Sequence, residues 1–193
     1  MTVRALPVVL AVALVAGCGS GGTRGGGGTV TSGGRIGALR IDVSTVADVL
    51  RIAGRPDDTV TRRTDWPGVP PYHALGYGCS HEKKPTYDPA APLAPHVVCQ
   101  SVYYVNTRTR RLAAFWTDSP SFRTVRGTTP AMKQPEANRR EQATPGGPWF
   151  AMGKGMLLIL STCKSEAPGR CVGETVGALA LESRHDPVGL LFT

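Results

Sequence analysis

The chain has 193 residues, 22 of them Lys or Arg and 14 Asp or Glu, for a net charge of +8. Its first 17 residues read as an export signal, leaving 176 in the mature chain, which is one domain's worth. Composition excludes a multi-pass membrane protein, a coiled coil and a collagen-like chain: no other apolar run approaches spanning length, and neither heptads nor a strict glycine period appears.

At the N-terminus Arg4 supplies a positive charge, Leu6 to Ala16 form an apolar stretch too short to span a bilayer, and Val15-Ala16-Gly17-Cys18 follows. This ending resembles a bacterial lipobox. The resemblance implies cleavage before Cys18, a thioether-linked diacylglycerol on its sulfur, and a domain held by lipid at the extracytoplasmic side of the cell membrane. Residues 19 to 34 contain nine glycines in sixteen positions, too few apolar side chains to offset the entropy of ordering them. The expectation is therefore a tether over 18–34, with an r.m.s. reach of about 20 to 24 Å, and a folded domain over 35–193.

The folded part reads as α+β, with short helices packed on antiparallel sheet. Ser44 and Thr45 precede the apolar-periodic segment Val46 to Ala53. Asp48 stands three residues after Thr45 as in a capping box, and Gly54 and Pro56 stop the helix. Val46, Val49, Leu50 and Ala53 share one face, which predicts packing on a sheet. Thr59 to Thr64 reads as a strand and Trp66 to Pro71 as a proline-rich turn. The alternation from Val97 to Val105 predicts a strand, Asn106 to Thr109 a turn, and Arg110 to Thr117 the returning strand. After Pro120 the order begins again: a lead-in at Phe122 to Gly127, a helix over Met132 to Gln142, and long strands over Trp149 to Cys163 and Val172 to Ser183. The halves would be 35–119 and 120–193, two degenerate tandem copies of one helix-plus-hairpin unit.

Ile36 to Ile41, the helix from Thr45 and its Gly54-Arg55-Pro56-Asp57 ending resemble the repeated element of BamE-like lipoproteins and of the related beta-lactamase inhibitor proteins. Met132 and Glu136-Ala137 stand 88 residues after Ser44 and Asp48-Val49, but the second copy lacks the Gly-x-Pro-Asp ending. The resemblance implies a protein-binding or scaffolding lipoprotein with helices against an antiparallel sheet, and it carries over no catalytic residue.

With Cys18 acylated, Cys79, Cys99, Cys163 and Cys171 remain, an even number for an oxidising compartment. Of three connectivities, Cys79 with Cys99 and Cys163 with Cys171 is preferred, the second pair closing a turn-rich loop. A zinc site using Cys79, His81, Cys99 and His73 or His96 is the rival, but Cys-Ser-His lacks the usual ligand spacing. No metal and no cofactor is expected. Ser161-Thr162-Cys163-Lys164 matches the Ser-x-x-Lys of penicillin-recognising enzymes, yet it follows a strand-like run, and neither Ser-Asp-Asn nor Lys-Thr-Gly occurs. The histidines at 73, 81, 96 and 185 are scattered.

Charge is concentrated. Residues 108 to 140 hold eight bases against two acids, whereas 35 to 107 and 141 to 193 are nearly balanced. Arg108, Arg110, Arg111, Arg123, Arg126, Lys133, Arg139 and Arg140 would favour an anionic partner if they share a surface: anionic lipid, a wall polymer or an acidic protein. Nucleic acid is not expected outside the cell, and no small-molecule substrate is identifiable. The leading reading is a non-enzymatic binding or scaffolding lipoprotein. Its rival is an inhibitor of an extracellular hydrolase that would use an aromatic loop such as Trp66 to Tyr72 as its wedge. An enzyme with a site assembled from distant residues comes third.

Overall fold

The computed structural model describes residues 26–62, 71–81, 97–142, 149–152, 155–161 and 175–185. The first strands come from the glycine-rich tract. Strand β1 (Gly28–Thr31) turns into β2 (Arg35–Ile36), which turns into β3 (Leu39–Arg40). Gly37 makes the second turn at φ 55°, where its N–H donates to Thr29 O at 2.9 Å. The tether expected over 18–34 thus ends earlier, and the fold begins before residue 35. Composition misled here because one side chain, Val30, is wholly buried and anchors the segment. A distant strand, β8 (Phe122–Thr124), pairs parallel to β1 and completes a four-stranded sheet in the order β3-β2-β1-β8.

Helix α1 (Val46–Ala53) forms where its cap dictates. Thr45 Oγ1 accepts from Asp48 N–H, and Thr45 N–H donates to Asp48 Oδ2 at 3.0 Å, satisfying two donors that would otherwise be orphaned. Gly54, at φ 83°, ends the helix and donates its N–H to Leu50 O. Val49 and Ala53 are buried, but Leu50, expected on the same face, is 41% exposed. The second helix, α2 (Gln134–Glu141), starts with proline in its first turn and buries Ala137.

A seven-stranded sheet forms the base of the molecule, with every neighbouring pair antiparallel. Its strands are β4 (Asp58–Arg62), β5 (Tyr72–His81), β6 (Val97–Asn106), β7 (Leu112–Thr117), β9 (Trp149–Met152), β10 (Gly155–Ser161) and β11 (Val176–Ser183). They lie in the order β4-β5-β6-β7-β11-β10-β9. The single strand expected over Trp149 to Cys163 is a hairpin instead, with Met152 opposite Met156 and Trp149 opposite Ile159. An unbroken apolar run conceals such a reversal, because a sequence with few polar residues between its apolar ones shows no alternation by which two strands could be counted.

Alternation sends the side chains of this sheet into two clusters. Leu75, Tyr77, Tyr103, Phe115, Leu179 and Leu181 meet Val49, Ala53 and Ala137 of the helices and Val30, Ile36, Leu39 and Phe122 of the small sheet. Rings run through this layer in sequence: Tyr77 to Tyr103 at 5.5 Å, Tyr103 to Phe115 at 4.7 Å and Phe115 to Phe122 at 4.9 Å. The other cluster includes Ala74, Val102, Tyr104, Ala114, Trp116, Ala178 and Ala180. Burial on both faces is why residues 101–106 and 112–117 are all buried.

The second half retraces the first. Thr45, before α1, bridges Arg111, before β7; Lys133, before α2, bridges Thr175, before β11. Leu112 N–H donates to Ser44 O at 2.7 Å, and Val176 N–H donates to Met132 O at 2.8 Å. Val49 and Ala137, 88 residues apart, are each wholly buried. Each half runs helix, then antiparallel strands, and the last strands of the halves, β7 and β11, pair at the centre of the sheet. The fold is α+β, with helices and a small sheet on one face of an antiparallel sheet.

Candidate interaction surface

Cys79 and Cys99 stand opposite each other on β5 and β6, 3.9 Å apart at Cα, and form a disulfide. This pairing occupies the thiolates that the zinc alternative required. His73, another member of that set, meets Thr61 Oγ1 at 2.7 Å through Nδ1. Among the described residues no group of three His, Cys, Asp or Glu is placed to hold a metal. Cys18, Cys163, Cys171, Trp66 and Lys164 lie outside the described residues.

The helix exit is tied to the disulfide strand. Asp57 Oδ2 accepts from Gly78 N–H at 2.7 Å and Cys79 N–H at 3.3 Å, while Tyr77 OH donates to Gly54 O at 3.0 Å. Gly78 sits at φ 62°, a conformation that strains a residue with a Cβ, and a Cβ there would also fall 2.8 Å from Gln100 Oε1, so the Gln100 side chain would have to shift. Burial, with the Asp57 charge adding to it, pushes the Tyr77 hydroxyl up to about 12, and burial with a contribution from Tyr77 raises Tyr103 further. An open cleft of about 430 Å³ lies beside this exit, lined by Val46, Leu50, Pro56, Asp57 and Leu75 among others.

The eight bases singled out from the sequence attach to two different places. Arg108, Arg110 and Arg111 ring the β6–β7 turn, which buried Asn106 shapes: its Oδ1 accepts from Arg108 N–H at 2.7 Å and Thr109 N–H at 3.0 Å. Arg111 donates from Nη1 to Val43 O, beside the entry to α1. The remaining five belong to β8 and α2. Two of these are spent on the fold: Arg126 donates to Glu141 O, and Arg140 donates to Gly127 O and to Glu136 Oε1, both at 2.7 Å. Together they fasten the turn after β8 to the last turn of α2. Arg123, Lys133 and Arg139 are exposed.

The structure adds two bases that the charge count passed over. Arg35 and Arg40 are directly opposite on β2 and β3, both exposed, while their neighbours Ile36 and Leu39 are 2% and 1% exposed. Arg123, opposite Thr29, projects from the same outer face at the far strand of the small sheet. Their signal was the alternation of Arg35-Ile36 and Leu39-Arg40. A count of charges along the chain does not register it, because residues 35 to 107 are nearly balanced whereas bases are dense over 108 to 140.

No protein family matches the chain, and neither does any curated protein or solved structure.

Proposed function

We propose that this chain is a lipid-anchored, extracytoplasmic binding or scaffolding module of the cell envelope, non-enzymatic and held at the membrane through Cys18. The observation that carries the reading is the short distance from Cys18 to the fold. The first strand opens at Gly28, ten residues after Cys18. A glycine-rich coil of that length has an r.m.s. span of about 16 to 19 Å, so a lipid on Cys18 would keep the domain against the bilayer surface. The polar side chains around the cap, the disulfide strand and the β8 turn are engaged in hydrogen bonds that hold the framework together. The same helix-on-sheet framework is what the likeness to BamE-like lipoproteins implies.

The test has two parts. Metabolic labelling with a fatty-acid analogue should mark the parent chain and spare Cys18→Ala, and labelling of that variant together with retention on membranes would overturn the anchor. Cross-linking in intact cells with the lipidated protein then separates the binding classes. Several envelope proteins captured in one complex support scaffolding, whereas a single hydrolase whose activity falls on binding supports the inhibitor reading.

A further inference from the structure

The strands of the small sheet contain three arginines and no acid. Arg35 and Arg40 face each other across β2 and β3, and Arg123 projects from β8. Directly opposed like charges destabilise an antiparallel pair. Neither of the two helical ion pairs involves these arginines: Arg51 pairs with Asp48 and Arg140 with Glu136. Three strand spacings separate β3 from β8, so the charges spread over roughly 15 Å of one face. Two residues beyond Arg123, at the tip of the turn into α2, Val125 is 73% exposed. The outer face is thus a basic plate with an apolar point at its rim.

The same sheet receives the N-terminal segment. Strand β1 lies between β2 and β8, so a chain rising from Cys18 enters the fold within this plate. We infer that the outer face of the small sheet, through Arg35, Arg40 and Arg123, docks flat on an anionic phospholipid bilayer, with Val125 reaching the acyl boundary. The occupant follows from two features: a face whose strands carry three exposed arginines and no acid, and a short segment that enters the fold at that face. The inference rests on the anchor reading for its geometry. Docking in this pose would turn the large sheet, across the core from the small one, away from the membrane.

The test uses the complete lipidated protein, as exported, reconstituted in phosphatidylcholine vesicles with and without phosphatidylglycerol. Amide hydrogen exchange is followed in residues 28–40. A base near an anionic surface contributes about fivefold to the docking equilibrium, so three give on the order of a hundredfold. Exchange should therefore slow at least tenfold when phosphatidylglycerol is present, and the protection should vanish at high salt. The variant Arg35→Gln/Arg40→Gln/Arg123→Gln should lose it. A charge-matched control, Arg108→Gln/Arg110→Gln/Arg139→Gln, should keep it, and circular dichroism of both variants establishes that they are folded.

Equal exchange on both vesicle types overturns the docking, as does equal loss in the control, which would mean unspecific attraction. Protection by wall polymer and not by phosphatidylglycerol also overturns it. A preparation that carries no lipid refutes the anchor reading instead, and the docking is then read by adding the same vesicles to the unanchored chain.

Discussion

Asp42 and Ala131, one residue off the 88-residue repeat, make corresponding hydrogen bonds in the two halves of the chain. Both are left-handed, at φ 62° and 66°, and each donates its N–H to the first residue of a central strand: Asp42 to Leu112 O at 2.8 Å, Ala131 to Val176 O at 2.7 Å. A left-handed residue with a Cβ costs about 1 to 2 kcal/mol. Paying this twice at matching places indicates that the kink is what aims each helix across the strand it bridges.

Glycine at either position should relieve that cost. Ala131→Gly is expected to raise stability by about 0.5 to 1 kcal/mol, the gain being reduced by the extra freedom of glycine in the unfolded chain. Asp42→Gly should gain less, because Asp tolerates this conformation better than Ala. The midpoint of urea unfolding reads both, and a fall in the midpoint for Ala131→Gly would refute the argument from strain.

The helix cap should be visible in the stability of the whole domain. Thr45→Ala removes the acceptor for Asp48 N–H and is expected to cost about 1 kcal/mol. Hydrogen bonding from Thr45 N–H, then from Arg51 and the Thr45 hydroxyl, holds the Asp48 carboxyl below its usual range. A lowered native value means that this contribution is present above the unfolded Asp value near pH 4 and is lost as pH falls through the native one. Asp48→Asn should therefore flatten the acid limb of stability against pH, and leave its alkaline limb unchanged.

Alkali acts on the opposite side of the profile. Tyr77 ionises only near pH 12 in the fold, against about 10 when unfolded. Its neutral form is the one the fold holds, so this contribution is complete below about pH 10 and is lost as pH rises toward 12. Ultraviolet difference titration should show Tyr77 and Tyr103 ionising together with unfolding. In Tyr77→Phe the hydrogen bond to Gly54 O is lost, and the domain should unfold at lower urea at neutral pH, with a weaker decline above pH 10.

Reduction of the Cys79–Cys99 bond opens a loop whose ends are 20 residues apart. Chain-entropy arguments assign such a cross-link about 3 kcal/mol. Cys79→Ala/Cys99→Ala should therefore lose about 2 to 4 kcal/mol by urea unfolding, and intact mass of the parent before and after reduction checks the bridge directly. Unchanged stability would mean that the β5–β6 ladder and the Asp57 bonds to Gly78 and Cys79 hold this part of the sheet without the cross-link.

What sequence alone determined is what neighbours in the chain decide. Thr45 and Asp48 are three residues apart, so the cap and the start of α1 were readable, as was its stop at Gly54. Asn106 bonds residues two and three ahead of it, so the β6–β7 turn was readable too. Even the repeat of the helix after 88 residues showed in the spacing of Val49 and Ala137, because both must face a core. Tertiary structure decided the rest. Strand β1 exists because Val30 is buried beside Ile36, to which it pairs, and Phe122, two residues out of register on a strand more than 90 positions away. Composition cannot register a partner at that distance. The reversal between β9 and β10 was hidden because the apolar run through both strands shows no alternation by which a strand is counted. The basic plate, finally, gathers Arg35 and Arg40 with Arg123 across the small sheet, a juxtaposition created by the parallel pairing of β1 with β8. Local chemistry sets where elements start and stop, whereas long-range burial sets which of them meet.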